Sequence, residues 1–322
     1  MGTSSQTASA TGQALLRIAT RGSRLALWQA EFVREQLQRT HRELRVELVT
    51  IQTRGDRILD RPLSQVGGKG LFVKELEKAL LEQRADLAVH SLKDIPGFFP
   101  EGLELSTVLE RDHPGDALIL RKGSGLEDLP SGALVGTSSL RRAAQLKHLR
   151  PDLEIHPLRG NVTTRLKKLD DGEVDAAVLA VSGLRRLGLE DRITLVLDPK
   201  QMLPAIGQGV LGLETRSGDD QTRNLLQFLE DEPTRDCITA ERMVLQQLEG
   251  NCQVPLAGHC ILEKNSLYLR ALIAEPDGTR VIRAEGRSSR SEASELGTRV
   301  ARGLLDQGGN ELLQKLSPME GI

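Results

Sequence analysis

Two stretches of this chain repeat one plan, and that repetition limits the folds open to it. "ATRGSRLAL" from Ala19 is echoed by "GTSSLRRAA" from Gly136, and "ADLAVHSLKD" from Ala85 by "VDAAVLAVSG" from Val174. Each half runs an apolar segment of strand length into a helix with Ser at its start, where a side-chain oxygen can accept from a free N–H. Strand alternating with helix indicates an α/β layer with a parallel sheet at its heart. Two copies predict two similar α/β domains facing a common cleft, with ligands at strand carboxyl ends and helix amino ends.

The pattern predicts strands at Leu15–Thr20, Arg45–Ile51 and Asp86–His90, with helices at Arg24–Arg39 and Leu71–Gln83. The second half predicts strands at Ala133–Thr137, Glu154–Pro157 and Asp175–Leu179. Its helices begin after Ser138 or Ser139, ending near Leu149, and at Asn161, ending at Leu169. The polar, Gly-rich stretch Gln52–Gly70 is too long for an ordinary connection and is expected to be a lid or a binding segment. After Pro233 the texture changes to a helix, the loop "EGNCQVPLAG", three strand-like segments and two closing helices. That is a small α+β C-terminal domain. The 322 residues exceed one core. The expected division is a disordered tail at 1–14, domain 1 from 15–110 plus 210–228, domain 2 from 111–209, and domain 3 from 229–322.

Net charge is −2, which argues against a general binder of nucleic acid or of membrane surfaces. No apolar run approaches the roughly 20 residues of a membrane helix. The first residues lack the basic start and apolar run of a secretory signal. Three cysteines, Cys237, Cys252 and Cys260, form neither a disulfide framework nor a metal pattern. Cytoplasmic location and no metal are therefore expected. Several motifs are decoys. "GQGVLG" at Gly207 matches a dinucleotide fingerprint, but "VLGLE" reads as a strand where a helix is required. "GGKG" at Gly67 lacks the P-loop spacing, and His259–Cys260 reads as domain packing.

Arg outnumbers Lys 32 to 11, and position gives that bias its meaning. Arg21, Arg141, Arg142, Arg159, Arg165, Arg185 and Arg186 fall at or just after predicted strand-to-helix junctions, near Ser23, Thr137, Ser138 and Ser139. Cations at a helix start do not help the helix, whose amino end already favours anions. Taken singly, each Arg is as well explained by a surface salt bridge. The set points to a site for a ligand with many carboxylates or phosphates. Lys93 and Asp94, in "HSLKDIP", should project at the cleft rim. Asp94 there suits stabilising a substrate cation or moving a proton, although on spacing alone a plain turn is the better reading. Cys252, in a loop, offers a nucleophilic thiolate, although a small core residue is the commoner fate of a free Cys and no His lies nearby in sequence to act as base; Cys237, inside a helix, is expected in the core.

These same residues resemble the porphobilinogen deaminases (hydroxymethylbilane synthases) over about Leu16 to Leu316. The resemblance is carried by "RIATRGSRLALWQA", "VGGKGLFVKELE", "AVHSLKDIP", "GTSSLRRAAQL", "LRGNVTTRL", "LAVSGLRRLGL", "LPAIGQGVLGLE" and "CQVPLAG". It implies two doubly wound, periplasmic-binding-protein-like α/β domains and a third that bears the cofactor loop. It implies a dipyrromethane cofactor, covalently attached to Cys252 through a thioether. Four porphobilinogen units are added in turn with loss of ammonia, and hydrolysis releases hydroxymethylbilane. Asp94, Arg21, Arg159 and Arg165 take the catalytic positions. Lys93, Asp94, Thr137, Ser138, Ser139, Arg141 and Arg142 join Cys252 in holding the cofactor. Arg21, Ser23, Arg186 and Lys69 take the substrate-binding positions. Asn251 stands where the family usually has Gly, and Asn tolerates left-handed backbone. The implied protein is a monomeric cytoplasmic enzyme. A binding protein or sensor for an acidic metabolite shares the fold plan but needs neither Asp94 nor Cys252.

Overall fold

A computed structural model describes residues 14–53, 55, 70, 73–248 and 254–316 of the chain. The first sheet begins with β1 (Leu15–Arg21), β2 (Arg45–Ile51), β3 (Leu87–Ser91) and β4 (Leu103–Val108), with helices α1 (Arg24–Thr40) and α2 (Lys74–Leu81). The chain then crosses to a second sheet, β5 (Asp116–Leu120), β6 (Leu134–Gly136), β7 (Glu154–His156), β8 (Ala176–Ala180) and β9 (Leu195–Val196). Its helices are α3 (Leu140–Leu149), α4 (Val162–Asp170) and α5 (Val181–Arg186). It crosses back as β10 (Leu211–Arg216), followed by α6 (Asp220–Leu226).

Strand order is β2-β1-β3-β10-β4 in one sheet and β7-β6-β8-β5-β9 in the other. The two orders are the same plan, as the echoes in the sequence suggested. The heart of each sheet is parallel, as expected, β1 with β2 and β3 in one and β6 with β7 and β8 in the other, and the crossing strands make both sheets mixed. β10 runs antiparallel to β3 and β4, and β5 antiparallel to β8 and β9. The reason lies in the crossings. Leu211 pairs with Ser91 at the end of β3, and Asp116 with Ala180 at the end of β8. Each crossing strand thus enters its sheet at the carboxyl end of its neighbour, and its direction is reversed.

Local chemistry explains the elements that carry the site. Ser23 accepts from Ala26 N at 3.3 Å and starts α1. Gln29, Ala30, Val33 and Leu37 form the buried face of that helix, at helical spacing, against Ile18, Leu87 and Leu213. Truncating fully buried Leu37 to Ala costs about 2–5 kcal/mol by the usual cavity cost. β3 and β8 are nearly continuous buried apolar runs, as central strands covered on both faces must be.

The third domain comprises α7 (Glu232–Gln247), β11 (Leu256–Glu263), β12 (Ser266–Ala274), β13 (Val281–Ser289), α8 (Ala293–Leu304) and α9 (Asn310–Leu316). Its antiparallel sheet packs on α7 and α8 through Val244, Leu269, Leu296 and Val300. Cys237 and Cys260 are buried in that core as free thiols. Helix α7 also grips the first domain. Arg242 donates to Pro96 O at 2.9 Å and to Gly97 O at 3.1 Å, and Gln246 donates to Gly97 O at 2.8 Å. Those carbonyls lie immediately after Asp94, so the third domain braces the turn that carries it.

Candidate active site

The carboxyl end of β3 runs into a single 3-10 turn, Leu92–Asp94, that aims Lys93 and Asp94 between the two sheets. Asp94 is exposed. Lys93 retains some open surface, but its ammonium is closely surrounded and donates to Gln208 Oε1 at 3.3 Å. Burial, and next the positive charge of Arg142, push the Lys93 ammonium down to about 8, while Asp94 and Asp116 pull the other way.

From the second sheet, Ser139 caps α3 by accepting from Arg142 N at 3.4 Å. Ser139 N donates to Thr137 Oγ1 at 3.2 Å, and Ser138 Oγ donates to Leu158 O at 3.0 Å. These hydroxyls tie the strand-to-helix turn together. Arg141 and Arg142 then fold inward, each only 5% exposed, onto the fully buried Asp116. Arg141 Nη1 lies 2.8 Å from Asp116 Oδ2, and Arg142 Nη2 lies 2.7 Å from Oδ1. Burial alone would push the Asp116 carboxyl up, yet the two guanidinium groups hold it well below the usual carboxylate range. The anion that these helix-start arginines were expected to await is supplied first by the protein itself. Two cations against one carboxylate still leave one positive charge in excess.

Arg165 lies one turn into α4, whose cap Asn161 accepts from Thr164 N at 2.8 Å. Its Nε donates to Gly160 O at 2.8 Å. Burial, followed by the charge of Arg142, pushes the Arg165 guanidinium down to about 10. Asp94 opposes that shift and Arg159 adds to it. Lys93, Asp94, Arg142, Arg159 and Arg165 therefore lie within one another's fields. A cation whose charged form is disfavoured by burial and by other cations is one that an incoming carboxylate stabilises.

Arg186 departs from expectation. It closes α5 at its carboxyl end, where a cation suits the helix dipole, and so does not open a helix. It nonetheless faces the cleft. Its Nη2 donates to Gly209 O at 2.7 Å, its Nε lies 3.7 Å from Asp112 Oδ2, and its guanidinium lies 5.9 Å from the Trp28 ring centre on α1. Arg21 ends β1, and Ser23 follows it at the start of α1. Cys252, Asn251 and Lys69 lie outside the described residues, as does most of the Gln52–Gly70 stretch.

Three residues of this site escaped the sequence reading. Asp116 sits in a run, "GDALIL", that reads as a plain buried strand. Gln29 donates to Ser91 Oγ at 2.8 Å beside the Lys93 turn. Gln208 was visible only inside the decoy "GQGVLG". A strand does follow that motif, and Gly207 and Gly209 take positive φ of 72° and 89°. A Cβ on Gly207 would stand 3.1 Å from Lys93 N, and one on Gly209 would stand 2.5 Å from Asp112 O. The glycines serve close backbone approach, not phosphate binding.

The porphobilinogen deaminase dipyromethane cofactor binding domain matches residues 16–224, and the porphobilinogen deaminase C-terminal domain matches residues 236–306. The chain belongs to the porphobilinogen deaminase family. As a porphobilinogen deaminase it is a transferase of tetrapyrrole biosynthesis. It condenses porphobilinogen into hydroxymethylbilane with dipyrromethane as its cofactor. Solved structures resemble it distantly. A periplasmic substrate-binding protein of an ABC transporter from Coxiella burnetii is 16% identical, with TM-score 0.43, covering 67% of this chain and 92% of that one. A nutrient-binding protein from Burkholderia cenocepacia bound to methionine is 14% identical, with TM-score 0.41, covering 66% and 90%. The periplasmic VFT2 domain of Bordetella pertussis BvgS is 17% identical, with TM-score 0.40, covering 66% and 85%. Among the described residues, no helix is long and apolar enough to cross a membrane.

Proposed function

We propose that Cys252 carries the dipyrromethane as a thioether and that the cleft between the two sheets holds the growing pyrrole chain. The observation that carries this reading is the gathering of Lys93, Arg142, Arg159 and Arg165 around exposed Asp94. When bound, the cofactor supplies a nucleophilic pyrrole carbon and its own carboxylates. Those carboxylates fit this chain's donors, because half-buried Lys93 and Arg165 are short of negative charge. Thr137, Ser138 and Ser139 shape the turn from which Arg141 and Arg142 reach inward. Arg141 and Arg142, anchored on Asp116, supply the excess positive charge facing the cofactor. Each charge-assisted bond to a carboxylate contributes about 1.5–3 kcal/mol.

Asp94 accepts from pyrrole N–H groups and stabilises the positive charge that develops as ammonia leaves. Arg21, Arg159 and Arg165 hold the acidic side chains of the reacting ring and assist the departure of ammonia. Ser23, Arg186 and Lys69 complete the substrate contacts. The group transferred is a pyrrolylmethyl unit, so the enzyme is a transferase of non-methyl alkyl groups. Residues 15–110 and 210–228 form domain 1, 111–209 domain 2 and 229–322 domain 3. The pairing of β10 with β3 and β4 supports the return to domain 1. The protein works as a cytoplasmic monomer, independently of membranes and nucleic acid. Two buried thiols, Cys237 and Cys260, left unlinked in one core accord with a reducing compartment.

The test is turnover of Arg165→Met and Arg159→Met after primer loading has been verified by mass. The proposal expects loaded but nearly inactive protein, and parent-like rates in both variants would contradict it.

A further inference from the structure

Gln208 is fully buried at the point where the chain crosses back from the second sheet to the first. Its Oε1 accepts from Lys93 Nζ at 3.3 Å. Its Nε2 donates to Asp116 Oδ1 at 3.0 Å and to Pro114 O at 2.6 Å, with Gly115 O at 3.3 Å. Only this orientation of the amide satisfies both neighbours, since the reverse would set NH2 against an ammonium and a carbonyl oxygen against a carboxylate. The backbone on either side is equally committed. Gly207 N donates to Glu241 Oε2 at 2.8 Å, and Arg111 Nη1 donates to Gln208 O at 3.2 Å. Gly209 O accepts from Arg186 Nη2 at 2.7 Å.

We infer that Gln208 is a positioning residue, a neutral bridge that fixes Lys93 of the first domain to the Asp116–Arg141–Arg142 cluster of the second. The consequence for the anion site rests on the reading of Lys93 as a cofactor contact given above. The physical problem is that Lys93 stands beside two guanidinium groups and needs an acceptor to remain charged. Asp116 is already taken by both arginines. Gln208 passes the influence of that carboxylate across the domain boundary, because one amide group gives to Asp116 while it accepts from Lys93. The groups facing Lys93 are then Arg141 and Arg142 from α3, Asp116 from β5, Gln208 from the crossing segment and Asp94 from its own turn.

The test measures the protonation of Lys93 directly. Competitive labelling with an amine-reactive anhydride across pH 6–11, read by mass spectrometry of the Lys93 peptide, gives its midpoint in the full-length Cys252→Ser chain. Gln208→Met keeps the length but removes the acceptor, and the midpoint should fall by about one pH unit or more. Gln208→Glu would set a second carboxylate oxygen against Asp116 Oδ1 and Pro114 O, so the buried side chain should keep a proton, donate it as the amide did and still accept from Lys93, and the midpoint should stay near the parent's. In otherwise native chains, the alkaline limb of turnover should move down in Gln208→Met and stay in place in Gln208→Glu. A merely structural residue would move both variants the same way, and that result, or an unchanged midpoint in Gln208→Met, overturns the inference. If Gln208→Met does not fold, Gln208→Asn replaces it, one methylene shorter and unable to span Lys93 and Asp116 together, with the same downward shift expected. A Lys93→Met chain that loads primer and turns over like the parent would remove Lys93 from the cofactor site while leaving the labelling result intact.

Discussion

Arg142 and Asp116, 26 residues apart in the chain, meet in the interior, with Nη2 2.7 Å and Nε 3.0 Å from the same carboxylate oxygen. Arg141 takes the other oxygen at 2.8 Å. The arginines at the start of α3 are thus held by the fold before any ligand arrives. That preorganisation removes much of the side-chain entropy that anion binding would otherwise cost.

The cluster should be expensive to dismantle. Asp116→Ala leaves two guanidinium groups buried without their shared anion, and about 3–5 kcal/mol of stability should be lost. Urea titration checks this, and a loss below about 1 kcal/mol would show that the cluster is solvated rather than sealed.

Asp94 should behave in the opposite way. It is exposed on a single turn, so Asp94→Asn should leave the melting temperature nearly unchanged. Turnover of the loaded protein should fall about 100- to 1,000-fold, the usual loss for a group that stabilises developing charge. Rates close to the parent's would remove Asp94 from the chemistry.

The contrast between these two carboxylates shows what the sequence made legible. Ser23, Ser139 and Asn161 were readable as helix starts because capping is local, involving a side chain and an N–H three residues on. Asp94 was singled out at the end of an apolar run, although a plain turn was the better reading of its spacing and its role came only with the family resemblance. Asp116 was not, because its meaning depends on a helix folding back over a strand many residues earlier. The same holds for the direction of β10, which follows from a crossing between sheets, whereas β4 and β5 do follow turn residues, Pro100–Gly102 and Pro114–Gly115, and were left unassigned. Gln208 looked like filler in a glycine motif, since only the assembled cleft brings Lys93 and Asp116 to its two ends.

A pH effect should come from beneath the site. Glu77 sits on the buried face of α2, near the pair in which His90 Nε2 lies 2.8 Å from Glu214 Oε2. Burial, and next the charge of Glu214, push the Glu77 carboxyl from its ordinary value near 4.5 up to about 7. The native state therefore binds more protons than the unfolded state between those values. That stabilisation is complete below the unfolded value and is lost as pH rises through about 7. Glu77→Gln should be more stable than the parent at pH 8, by on the order of 1–3 kcal/mol, with the difference closing near pH 5. Denaturation at both pH values checks the sign, and an equal difference at each would refute it.

Trp28, the sole tryptophan, lies under the guanidinium of Arg186 across the cleft. Porphobilinogen binding should draw Arg186 toward a substrate carboxylate and change Trp28 emission. Arg186→Ala should raise KM about ten- to hundredfold, in line with one charge-assisted bond, and should abolish the emission change. A parent-like KM with an unaltered emission response would exclude Arg186 from substrate binding.

The most direct measurement is the intact mass of the purified chain from cells that make porphobilinogen. The parent should exceed its sequence mass by two linked pyrrole units. Cys237→Ser should keep that excess, and Cys252→Ser should lose it. A parent chain at its unmodified mass, or an excess that survives loss of the sulfur at position 252, would contradict the account.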